Sequence, residues 1–97
     1  MPTYVVLGKF TTEGIKNIKD SPERLEAAKK VLKSVGGEMK KFYYTLGQYD
    51  FVAIGEAPDA EAMMKAMMTI GSAGAVGTET LTAIPAEKAA KFIKELP

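Results

Sequence analysis

Residues 3–10, TYVVLGKF, form a short run rich in β-branched and aromatic residues, the composition of a strand. Strand side chains alternate between faces, which sets Tyr4, Val6, Gly8 and Phe10 apart from Thr3, Val5, Leu7 and Lys9. Both sets carry apolar residues, so this strand requires cover on both sides. The run Phe51-Val52-Ala53-Ile54-Gly55 has the same character. With 97 residues and 10.4 kDa there is room for one compact domain. Two such strands in so small a chain constrain the fold more than any other feature.

The segments between them are legible. Thr11-Thr12-Glu13-Gly14 breaks the first strand, and Ile15 and Ile18 begin a short helical turn. Asp20-Ser21-Pro22-Glu23 predicts a helix start, with a capping hydroxyl or carboxylate, Pro in the first turn and Glu at the positive dipole end. Leu25, Ala28, Leu32 and Val35 recur at helical spacing, and Gly36-Gly37 ends the helix. Residues 38–46 and 49–57 predict two strands joined through Gly47-Gln48. A two-residue turn pairs Leu46 with Tyr49, Tyr44 with Phe51 and Phe42 with Ala53. It places Phe42, Tyr44, Leu46, Tyr49 and Phe51 on one face, and Tyr43, Thr45, Asp50, Val52 and Ile54 on the other.

Pro58-Asp59 opens a second main helix, with Ala60, Met63, Met64, Met67 and Ile70 along one broad face and Met68 beside it, a core-filling use of methionine. Thr78–Ile84 is a fourth strand, and Pro85-Ala86 starts a terminal helix whose Ala89, Phe92, Ile93 and Leu96 follow the amphipathic pattern. The order is β-α-β-β-α-β plus a C-terminal helix. That order predicts an α+β, ferredoxin-like sandwich: a four-stranded antiparallel sheet with two helices on one face. The other face would then be an exposed apolar sheet, which is an association site. A homodimer closing two such faces on each other is the leading expectation, and the terminal helix folding over its own sheet is the competitor.

In order along the chain, the residues Phe10-Thr11, Gly14, Ser21-Pro22, Arg24, Gly47-Gln48-Tyr49-Asp50, Glu56-Ala57-Pro58-Asp59, Gly74 and Thr78-Glu79-Thr80-Leu81 resemble the GYD-domain family over nearly the whole length. The resemblance implies the dimeric α/β-barrel type of assembly, in which ferredoxin-like subunits pair sheet to sheet. It implies no settled activity, since the wider group holds cofactor-free monooxygenases, isomerases, haem enzymes and amino-acid-sensing domains. Family members often carry a basic residue near the fourth-strand motif, where this chain has Gly77 and Thr82, which counts against an anion site there.

The chain has neither His nor Cys. It therefore lacks the usual neutral-pH general base, a thiolate nucleophile and the commonest ligands of zinc, haem and iron–sulfur clusters, and neither cofactor nor metal is expected. The balance of 13 basic and 12 acidic residues selects no charged partner. Between Lys16 and Lys41 eight basic residues face four acidic ones, the pattern of a solvated lysine-rich helix face. Gly71-Ser72-Ala73-Gly74-Ala75-Val76-Gly77 follows a helix and precedes a strand, the reverse of a phosphate-binding loop. The third strand lacks the basic-Gly-aromatic signature of RNA-binding sheets, so no nucleic acid is expected. No apolar run suffices for a membrane span, and residues 1–10 have no basic leader, so a cytoplasmic location is expected.

The ligand-binding candidates are Tyr49, Asp50, Tyr4, Tyr44 and Arg24, with Tyr49 and Asp50 expected at the mouth of the cavity between sheet and helices. The motif Gly47-Gln48-Tyr49-Asp50 also has a structural reading. Gly47 supplies the positive φ of a turn, Asp50 bonds turn amides, and Tyr49 packs across the hairpin. These residues predict a non-catalytic homodimeric module for a small organic ligand or a protein. The alternative is a cofactor-independent enzyme of monooxygenase or isomerase type, with Asp50, Glu79 or a tyrosine moving the proton.

Overall fold

A computed structural model describes all 97 residues. The strands are β1 (Thr3–Phe10), β2 (Glu38–Tyr44), β3 (Phe51–Glu56) and β4 (Val76–Ala83); the helices are α1 (Thr12–Lys16), α2 (Ser21–Ser34), α3 (Ala60–Ser72) and α4 (Ala86–Ile93), with a 3-10 turn at Ile18–Asp20. The sheet is antiparallel in the order β2-β3-β1-β4, the ferredoxin-like arrangement expected from the element order. In the single chain this sheet is open rather than closed into a barrel.

Helices α2 and α3 lie on one face. The core there is Tyr4, Val6, Leu32, Ala53, Ala57, Met63 and Ala66. The buried alternation of β1 and β3 continues through Gly8 and Phe51, which face each other across the ladder. A Cβ on Gly8 would run into the Phe51 ring, so glycine is what leaves room for that ring over β1. Phe51 in turn stacks on Phe42 at 5.1 Å and meets Phe10 at 5.8 Å between centroids. The methionine face of α3 is narrower than its pattern suggested: Met63 is buried and Met67 half-buried, whereas Met64 and Met68 are exposed.

The hairpin keeps its expected register, with Tyr44 opposite Phe51 and Phe42 opposite Ala53. Its strands stop sooner than expected, and Leu46 does not pair with Tyr49 in the ladder. The reason lies outside the hairpin. The Asp50 N–H donates to Gly8 O at 2.8 Å, and its carboxylate accepts the Phe10 N–H at 2.9 Å, so β1 captures the residue that would have extended β3. The loop is instead closed by the Thr45 N–H on Asp50 O and the Thr45 hydroxyl on Tyr49 O. Gly47 has the positive φ that a turn requires, at 109°.

The expected cap of α2 is also different. Asp20 occupies the cap position without a side-chain bond, and the Ser21 hydroxyl is paired with the Tyr44 hydroxyl at 2.8 Å. At α3 the carboxylate of Asp59 accepts the Ala62 N–H at 2.8 Å, as a helix cap does.

The terminal helix does not cover the open face. Helix α4 has no buried residue and only marginal contact with other elements, and the radius of gyration is 14.7 Å, against about 12.5 Å for a compact chain of this length. Val5, Leu7, Val52 and Ile54 remain half-exposed on the uncovered side, with Leu81 and Tyr43 exposed.

Candidate functional site

The sheet carries two distinct candidate surfaces, one on each face. On the helix side α2 and α3 leave a recess of about 170 Å³ between themselves and the strands. It arises because α2 presents the small Ala28 to the sheet beside Leu25, with Ala27 at the rim, while α3 contributes Met67 and Ile70. The floor is aromatic, formed by Phe10, Phe42 and Phe51. Polar groups are confined to Ser21, Arg24 and Thr78. A recess with that lining holds an apolar body and offers a few polar atoms to orient it.

Arg24 is one of the expected site residues, and it does line the recess. Its guanidinium is spent on the chain itself, donating to Asn17 O at 2.9 Å and Gly14 O at 3.3 Å, which ties α2 to the end of α1. Gly14 is buried with its Cα against the Ala75 carbonyl, where a side chain would collide. Thr11 completes this joint: its N–H donates to Ala75 O, and its hydroxyl donates to Gly74 O and accepts the Gly14 N–H. Tyr44 stands over Ser21 with its ring edge-on to Phe42 at 5.0 Å. Tyr4 is buried in the core and does not line the recess.

Neither Tyr49 nor Asp50 lies at the mouth of the recess, contrary to expectation. Asp50 sits between β3 and β1, bonding a strand amide 40 residues away and not the turn amides. Its capture turns Tyr49 toward the opposite side of the sheet. There the Tyr49 hydroxyl donates to Glu79 at 3.1 Å, and the Lys9 ammonium lies over its ring, 5.5 Å from the centroid. These three side chains, with Leu7, Gly77 and Thr78, outline a shallow second pocket on the open face. The Glu79 carboxylate stabilises the protonated phenol and holds the Tyr49 pKa above its usual value. Gln48 is exposed in the loop.

Thus Ser21, Arg24 and Tyr44 gather on the helix side, while Tyr49 gathers with Lys9 and Glu79 on the other. Reading the hairpin alone misses Lys9. The β1–β4 register carries the signal, since it sets Lys9 opposite Gly77 and Leu7 opposite Glu79 on one face. On neither face do three or more Asp or Glu side chains converge as metal ligands would. What the arrangement offers is binding: an apolar recess on one side, and on the other an aliphatic strip with polar groups at both ends, Lys9, Tyr49 and Glu79 at one and Glu38, Lys41 and Glu56 at the other.

Proteins of similar sequence and shape are known. A glutamine synthetase and cystathionine beta-lyase binding protein of Thermus thermophilus is 40% identical over 86 residues, which is 88% of this chain and 90% of that protein. Among solved structures, one of a Thermus thermophilus protein superposes with a TM-score of 0.57 at 26% identity, over 89% of this chain and 96% of its own. A feast or famine regulatory protein of M. tuberculosis, solved with L-methionine, superposes with a TM-score of 0.67 at 16% identity over 89% of this chain. This chain spans about half of that regulator, 52%, and the likeness is one of fold. The GYD domain matches residues 4–93, and the chain belongs to the GYD-domain family.

Proposed function

We propose that this chain is a homodimeric interaction module that docks on enzymes of amino-acid metabolism and performs no chemistry of its own. The observation that carries the reading is the 40% identity, over nearly the full length of both chains, to a protein named for binding glutamine synthetase and cystathionine beta-lyase. The surface chemistry supports it. The sheet keeps one apolar face uncovered, while Tyr49 is engaged with Glu79, Tyr44 with Ser21 and the Asp50 carboxylate with the Phe10 amide. Pairing of two open faces gives the assembly, since half-exposed Val5, Leu7, Val52 and Ile54 are poorly placed in water and well placed against a second sheet.

Calorimetric titration of the purified protein into glutamine synthetase and cystathionine beta-lyase of the same organism tests the docking. Saturable binding to at least one enzyme, at micromolar affinity or tighter, is expected. No heat and no co-migration with either enzyme would contradict it.

A second reading, a small-ligand-binding module, is favoured by the recess. The recess is partly open, so its apolar lining stays in contact with water at a cost proportional to the apolar area left uncovered. A monocyclic apolar ligand with one polar group directed at Ser21 or Thr78 would recover part of that. A rise in unfolding temperature with such compounds, lost in Ala28→Phe, is the corresponding check.

A further inference from the structure

Helix α4 is the one element that the chain does not use for itself. Its 8 residues are fewer than the roughly 12–15 below which an isolated helix is marginal in water, so it needs a surface to pack on. That need has a definite face: Ala89, Phe92 and Ile93 form one stripe, Leu96 follows just past the helix end, and Glu87 and Lys91 lie off the stripe. Phe92, Ile93 and Leu96 are 46%, 55% and 62% exposed, and none of them touches the core. Exposed apolar residues also lie along the chain between the sheet and the helix. Leu81 on the open side of β4 is 41% exposed, and Ile84, between β4 and α4 in the chain, is 53% exposed.

From these observations we infer that α4 is an arm that packs on a second copy of the chain, each protomer lending its helix to the other across the paired sheets. This rests on the homodimer reading above and adds to it. Area selects this occupant. A stable interface removes about 800 Å² per partner. Five large apolar residues, each about half-exposed, offer on the order of 500 Å², and the half-covered aliphatics of the sheet supply the remainder. The arm residues thus bring the paired sheets up to the scale of a stable interface. Because both belong to the same chain, each copy offers what the other needs, and a two-fold pair closes with nothing left over.

Two measurements on the full chain test the arm. The first is the dimer dissociation constant from sedimentation over a dilution series, for the natural chain, for Phe92→Ser with Ile93→Ser, and for Ile54→Lys. The arm variant is expected to weaken the dimer at least roughly tenfold, with monomer unfolding unchanged. A dimer that Ile54→Lys abolishes and the arm variant leaves intact would overturn the arm and keep the sheet pairing. A natural chain that is monomeric throughout would remove both. The second uses a nitroxide on Leu96→Cys, a unique attachment point in a chain without cysteine. The label is expected to be mobile in the diluted monomer and immobilised in the dimer. Immobilisation at every concentration would place the helix on its own chain and overturn the inference.

Discussion

On the helix side of the sheet Tyr4, Val6, Phe51 and Ala53 are only 5–7% exposed, whereas on the other side Val5, Leu7, Val52 and Ile54 are half-covered by nothing but their own neighbours. These residues alternate along the same two strands. The backbone therefore treats both sides alike, and the difference lies in what is laid over each. The helix side is finished within the chain: glycine makes room for an aromatic ring, Arg24 clamps α1 to α2, and Ser21 is paired with Tyr44. The open side is finished by nothing in the chain, and its charged groups lie at its two ends, Lys9, Tyr49 and Glu79 at one and Glu38, Lys41 and Glu56 at the other. Folding and association are thus assigned to opposite faces, and substitutions on each should read out differently.

The largest effect on folding is expected from Gly8→Val, which forces a branched side chain into the Phe51 ring and should cost about 3 kcal/mol or more. Chemical denaturation measures it directly; a variant as stable as the natural chain would mean the ring has another place to go. Asp50→Ala comes next. It removes the acceptor of the Phe10 amide and should cost about 2 kcal/mol, with faster amide exchange at Phe10. If exchange at Phe10 stayed unchanged, Asp50 would not be the residue that ties β3 to β1.

Ile54→Lys lies across the sheet and should behave in the opposite way. The monomer should stay within about 1 kcal/mol of the natural chain while self-association is lost. Equal damage to folding and association would erase the distinction between the faces.

The smallest effect concerns pH. The Tyr49 pKa is raised, so its bond to Glu79 stabilises the fold at pH values below the ordinary tyrosine pKa of about 10. That contribution is lost as pH rises through the raised value. Ultraviolet titration should show one phenol ionising later than in the Glu79→Gln variant, and identical curves would sink the pairing.

Much of this was readable from local pattern. The alternation of TYVVLGKF and FVAIG, the Pro-Asp and Ser-Pro helix starts and the glycine stops mark every major element, and the pairing of Tyr44 with Phe51 follows from the turn. The readings that failed depend on partners distant in sequence. Asp50 is diverted by a strand 40 residues away, which rotates Tyr49 to the other face. The hydroxyl of Ser21 is claimed by Tyr44, 23 residues on, so it does not cap its own helix. Periodicity describes which way a side chain starts out, and it carries no information on which distant group intercepts it. The stripe of α4 was equally plain, but a stripe states only that a helix needs a surface, not that the surface belongs to the same chain.

Burial of the uncovered sheet face in solution is the point on which everything else turns. Sedimentation equilibrium at micromolar concentration in moderate salt measures this most directly. The expected mass is twice the chain mass of 10.4 kDa, falling to the single mass in Ile54→Lys. A natural chain that sediments as a monomer across that range would contradict it.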